Sequence, residues 1–100
     1  MGISISHGVP STRSALTIAN LGQHLAHTLT SSEWRELRHL FDGRLYTPVV
    51  TPPDEAARIG ALLTKAARSR SMNPEWGQLA LLLGEAANRA AQARQNCVWD

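Results

Sequence analysis

The chain has one cysteine, Cys97, so it cannot close a disulfide within itself, and a reducing, cytoplasmic compartment is the simplest fit. It lacks a long apolar run. The longest, residues 79–83, is far too short to cross a bilayer, and no charged-then-apolar leader opens the sequence, so no membrane partner and no secretory signal are expected. Aromatic residues are few: three Trp, one Tyr and one Phe. There is no glycine-rich phosphate loop and no serine nucleophile elbow. Paired carboxylates are missing except at Asp54-Glu55, where a helix start explains them. Neither charge sign dominates. Ten Lys and Arg against eight Asp and Glu leave a formal charge of +2 and a pI of about 9.3, which neither demands a polyanion partner nor excludes one. These absences make an enzyme the weakest class and predict no cofactor.

What is present is amphipathic helix. At 43% hydrophobic residues with no low-complexity tract, 100 residues predict a single domain spanning 1–100. A chain of this size buries roughly 60–65% of its unfolded surface, enough for one core. The organising element is a helix over residues 73–94. Asn73 caps free amides, and Pro74 takes the first helical position without losing a hydrogen bond. Trp76, Leu79, Leu83, Ala86, Ala87 and Ala90 fall on one face; Gln78, Glu85, Asn88 and Gln92 fall on the other.

Three further helices precede it. Ser14 caps the first, which runs to Leu29 with Ile18, Leu21, Leu25 and Leu29 as its stripe and Gly22 beside them. Asn20, Gln23, His24, His27 and Leu16 lie on its outer side. Thr30-Ser31-Ser32-Glu33 is a capping box for the second, with Leu29 and Trp34 spaced as a hydrophobic staple. Trp34, Leu37, Leu40 and Phe41 make its apolar face, and Asp42-Gly43 ends it. The two therefore form a tight antiparallel hairpin. The third opens at Thr51-Pro52-Pro53-Asp54, with Thr51 capping and Pro52 at the first position; Ala56, Ile59, Leu62, Leu63 and Ala66 face inward, and it frays over residues 68–71.

Three short stretches read as strands: residues 3–6, alternating apolar and polar; residues 45–50, placed at an edge because Pro48 cannot donate; and residues 97–99. Met1-Gly2 with Ser6 also fits the N-myristoylation pattern, although the strand explains the same residues. The expected fold is α+β, two helical hairpins beside a small sheet of two or three strands; an all-α four-helix domain is the alternative. A weak echo between Glu33-Trp34-x-x-Leu37-x-x-Leu40 and Glu75-Trp76-x-x-Leu79-x-x-Leu82 is open to duplication or to a common way of starting an amphipathic helix.

The opening Gly2-Ile3-Ser4-Ile5-Ser6-His7-Gly8, the Glu33-Trp34-Arg35 start of the second helix and Trp99 near the end resemble a group of small uncharacterised actinobacterial proteins. The likeness covers most of the chain. It implies no activity and carries over no catalytic residue.

Three functional readings follow from the residues. The first is a non-catalytic protein-interaction or regulatory module, with a protein partner that can be a second copy in a homodimer. Its anchors are Leu16 and Leu81, apolar residues on outer faces, and Trp99, an interface-type side chain with no helical stripe to hold it. The second is a nucleic-acid accessory protein that uses Arg58, Lys65, Arg68 and Arg70 along one side of the third helix, each phosphate contact adding salt-sensitive affinity. The third is a small metal-dependent enzyme. His24 and His27, three apart on one helix, reach a common ion, but a catalytic zinc takes three protein ligands, and His7 or His39 could complete the set only through the fold. Cys97 has no base or thiolate-favouring group nearby in sequence and reads as a small apolar residue.

Overall fold

The computed structural model describes residues 2–9, 12–41 and 48–100. Four helices lie among them: α1 (Ala15–Thr28), α2 (Ser31–Phe41), α3 (Pro53–Ala67) and α4 (Pro74–Gln92). Four short strands accompany them: β1 (Gly2–Ile3), β2 (Arg13–Ser14), β3 (Val49–Thr51) and β4 (Cys97–Trp99). The fold is α+β, as the patterning predicts.

The caps are where the side-chain chemistry puts them. Ser14 Oγ accepts from the Thr17 amide at 3.0 Å and starts α1. The capping box of α2 is reciprocal: the Glu33 amide donates to Thr30 Oγ1 at 3.2 Å, and the Thr30 amide donates to Glu33 Oε1 at 3.1 Å. Asn73 Oδ1 accepts from the Glu75 amide at 2.9 Å and starts α4. The start of α3 differs from the expectation by one residue. Pro52 holds the cap position with no side-chain bond, Pro53 is the first helical residue, and Thr51 is buried as the last residue of β3. The expected helix stop at Asp42-Gly43, and residues 45–47 of the expected second strand, lie outside the described residues.

β1 pairs antiparallel with β2, a short hairpin that the patterning does not signal. β3 pairs antiparallel with β4, Val50 opposite Val98. On the other side of β4, Ile5 bridges Trp99. The Ser4 and Asp100 amides exchange bonds with each other's carbonyls at 2.7 and 2.8 Å, and the Ser6 amide donates to the Val98 carbonyl at 2.9 Å. β4 is thus flanked by the two other expected strand segments.

One contiguous core runs from Ile3 to Trp99. α3 and α4 make its most extensive contact, through small residues. The buried stripe of α4 consists of Gly77, Ala80, Leu83, Gly84, Ala86, Ala87 and Ala90. This corrects the expected face: Trp76 and Leu79 are half-buried at its margin, and Asn88 lies not on a free polar face but against α3. A Cβ added to Gly60 of α3 would collide with the Asn88 side chain and stand 3.0 Å from the Gly84 carbonyl. Gly22 plays the same part between α1 and α2, since a Cβ there would come within 2.7 Å of Phe41 Cβ.

Trp99 is also corrected. It is 3% exposed and packs edge-on against Phe41, centroids 5.4 Å apart, and Phe41 in turn has Trp34 tilted against it at 6.1 Å. A strand packed between a second strand and the N-terminal segment turns Trp99 into the core, so it presents no surface.

Candidate functional site

The cations of α3 do not form a free basic stripe. Arg58 Nε and Nη2 donate to the two carboxylate oxygens of Glu36 at 2.9 and 3.0 Å, and Lys65 Nζ donates to Glu33 Oε2 at 2.5 Å. These pairs lay α2 antiparallel to α3. They also shift both carboxylates: the bond from Lys65, and then that from the Thr30 amide, hold Glu33 below the ordinary value of 4.5, and the bond from Arg58 does the same to Glu36. Glu36 in turn raises Arg58. Of the four expected nucleic-acid residues, two are therefore partnered by acids. Arg68, at the C-terminal cap of α3, and Arg70, in the following turn, are exposed. Glu36, His39, Glu55, Arg58 and Ile59 line an open hollow of about 160 Å³ between the two helices.

The apolar anchors separate. Leu16 is 72% exposed on the outer side of α1. Leu81 is half-buried on α4. Trp99 is in the core. Leu82, which was not among the expected anchors, lines a shallow hollow of about 280 Å³ with Arg13, Glu75, Gln78 and Leu79. Val50 is the other large apolar side chain that is well exposed among the described residues, at 53%.

The two α1 histidines have different surroundings. His24 stacks on Trp76 of α4, with ring centroids 5.0 Å apart and planes at 25°, while His27 is exposed. Among the described residues no group of three or more His, Cys, Asp or Glu side chains is placed to hold a metal ion. Cys97 is 2% exposed. Burial pushes its thiol up, against the opposing effect of hydrogen bonds with Ser6 and Trp99.

A further cluster is assembled by the fold alone. Ser6 Oγ lies 2.7 Å from His7 Nδ1, and His7 Nε2 lies 2.8 Å from Gln95 Oε1. The Val98 amide donates to Ser6 Oγ at 2.9 Å, and Cys97 Sγ is 3.9 Å away. His7 has φ +66° and Gly8 φ +101°, both in the left-handed region. Arg89 holds this turn from α4: its Nε donates to the His7 carbonyl at 2.7 Å, and its guanidinium comes within 2.9 Å of where a Cβ on Gly8 would be. Sequence reasoning missed this cluster because Ser6 and Gln95 are 89 positions apart. The only local signal was the Ser-His-Gly turn itself.

No helix among the described residues is long and apolar enough to cross a membrane. The chain matches no curated protein and no solved structure. A family model matches residues 7–100, so the match takes in His7 and Gly8 of the opening motif and everything after it. The chain belongs to the family described as a domain of unknown function, DUF7739.

Proposed function

We propose that this protein is a protein-interaction or regulatory module whose docking face does no chemistry, and that its partner is a second copy of the same chain. The exposure of Leu16 carries this reading. A leucine left 72% open on a chain that buries most of its other large apolar side chains is the strongest apolar feature of the surface. Lone exposed leucines are common, so the surrounding shape matters. Arg13, three residues before Leu16, borders the hollow floored by Leu79 and Leu82. A protruding leucine, and a hollow where Leu79 and Leu82 sit among Arg13, Glu75 and Gln78, are the parts a two-fold contact needs, because each copy offers both halves. A standard interface takes about 800 Å² from each partner. That is roughly one eighth of this molecule's 6005 Å², so α1 and the N-terminal half of α4 must both take part.

Val50 supports no rival face, because prolines flank its strand edge. The nucleic-acid reading stands second: it draws on Arg68 and Arg70, with Arg58 and Lys65 already neutralised. A single buried cysteine fits a reducing, cytoplasmic setting.

Sedimentation over a range of concentrations tests the proposal. The expected outcome is a monomer–dimer equilibrium that Leu16→Asp shifts to monomer by about tenfold or more, in keeping with the cost of truncating an interface anchor. A wild-type chain that stays monomeric at high concentration overturns it.

A further inference from the structure

We infer that Ser6 is a nucleophile for acyl transfer from a small ester, with His7 as its general base and Gln95 as the positioning residue. This site lies apart from the Leu16 face and does not depend on the dimer.

The geometry has the three parts that an activated serine requires: a hydroxyl within hydrogen-bond reach of a base, and a third group that orients the base. Gln95 Oε1 accepts from Nε2–H of His7, which leaves the ring lone pair on Nδ1. The one Ser6 hydroxyl proton is shared between that nitrogen at 2.7 Å and Cys97 Sγ at 3.9 Å, and His7, at the shorter distance, is the stronger acceptor. The backbone of His7 is held left-handed by Arg89 from α4. A backbone outlier that neighbouring groups hold in place is a reason to look for function. A purely structural latch needs less. Ser6 Oγ already receives the Val98 amide and closes the ladder beside β4; nothing in that bond calls for an imidazole, or for Gln95 on the far side of it.

In the forward step, Oγ attacks the carbonyl carbon while its proton passes to His7 Nδ1. The C–O bond to the alcohol then breaks, and Nδ1 returns the proton to the departing oxygen. Ser6 holds the acyl group as an ester. Water, giving its proton to the same nitrogen, attacks that ester and releases a carboxylic acid and the free hydroxyl. Ser6 and His7 are half-buried at a turn, and the Val98 amide and Cys97 Sγ stand beside Oγ, so the acyl group proposed is a small one.

The full chain is incubated with para-nitrophenyl acetate, and nitrophenolate release is followed together with mass mapping of the acetylated peptide. One acetyl group on Ser6 is expected. His7→Asn keeps the Ser6–Val98 bond and a residue that tolerates left-handed backbone. It should lower the rate about 100-fold or more with an unchanged unfolding midpoint. Gln95→Leu should lower the rate by about tenfold and Gln95→Glu, which keeps an acceptor oxygen, should restore it; a merely structural side chain gives no such rescue. Ser6→Ala abolishes both signals; if that variant does not fold, the His7→Asn comparison decides. Acetylation confined to Lys65, the one lysine of the chain, or to Cys97, or equal Ser6 labelling in wild type and His7→Asn, overturns the inference.

Discussion

At the scale of single residues, the α3–α4 seam is the most sensitive point. Gly60 has no room for a methyl group: a Cβ would collide with Asn88 Oδ1, stand 2.7 Å from Asn88 Cγ and meet the Gly84 carbonyl at 3.0 Å. One contact is a side chain that can swing away; the other is backbone that cannot move without separating the helices. Gly60→Ala should therefore destabilise by about 1–3 kcal/mol, the usual cost of overpacking, and Asn88→Ala in the same chain should recover only part of it. Denaturant midpoints of the two variants measure this; a neutral or stabilising Gly60→Ala would show that the helices can part at no cost. Glycine and alanine in this seam are easy to see in the sequence, but which of them face α3 is not. The large residues Trp76 and Leu79 dominate a helical-wheel reading, although the close approach of the helices turns the small ones inward. Trp99 fails for a related reason. A strand of three residues has too little pattern to say which neighbours will cover it.

At the scale of elements, helix starts were legible because a cap is a local bargain between one side chain and two or three amides. Ser14, Thr30 with Glu33, and Asn73 all do what their chemistry requires. Thr51 was misplaced because two successive prolines both suit a first turn, and the pairing of β3 with β4 decided between them. Replacing Thr30 with Ala should cost about 1 kcal/mol, since the Glu33 amide then loses its acceptor. A Thr30→Ser variant should keep nearly all of the stability, and thermal unfolding of both compares them directly. The strand edge is also explained at this scale. Val98 spends its amide and carbonyl on Ser6, so the peptide groups of Cys97 and Trp99 face β3. Val49 and Thr51 must then turn theirs toward β4, leaving those of Val50 pointing outward. Pro48 and Pro52, two positions to either side, have no N–H to offer along that edge. Prolines of this kind are a known guard against strand addition, which is why a dimer is better sought at the helices.

At the scale of the whole molecule, the ion pairs Glu33–Lys65 and Glu36–Arg58 tie the first helical pair to the second. Both carboxylates are held below their ordinary value in the folded chain. A depressed folded value means that the contribution is complete above the unfolded value of about 4.5 and is lost as pH falls through the lower folded one. Stability should therefore decline on acidification below about 4.5. Glu33→Gln with Glu36→Gln should flatten that decline while leaving its neighbours in place, and high salt should reduce the difference, because all four side chains reach solvent. An acid limb identical in wild type and the double variant would remove these pairs from any part in joining the two halves. The cations of α3 and the acids of α2 were both visible in the sequence, but on separate helices. Only their antiparallel placement neutralised the basic stripe.

The sequence by itself determined four amphipathic helices, the side-chain caps of three of them, the strand at residues 97–99 and the outward position of Leu16. Each of these follows from periodicity or from hydrogen bonds made within a few residues. The tertiary structure alone decided that Trp99 is core, that Arg58 and Lys65 are paired, that His24 stacks on Trp76, and that Ser6, His7 and Gln95 meet. Those outcomes depend on contacts between residues far apart in the chain, and no local pattern encodes which distant side chain will arrive.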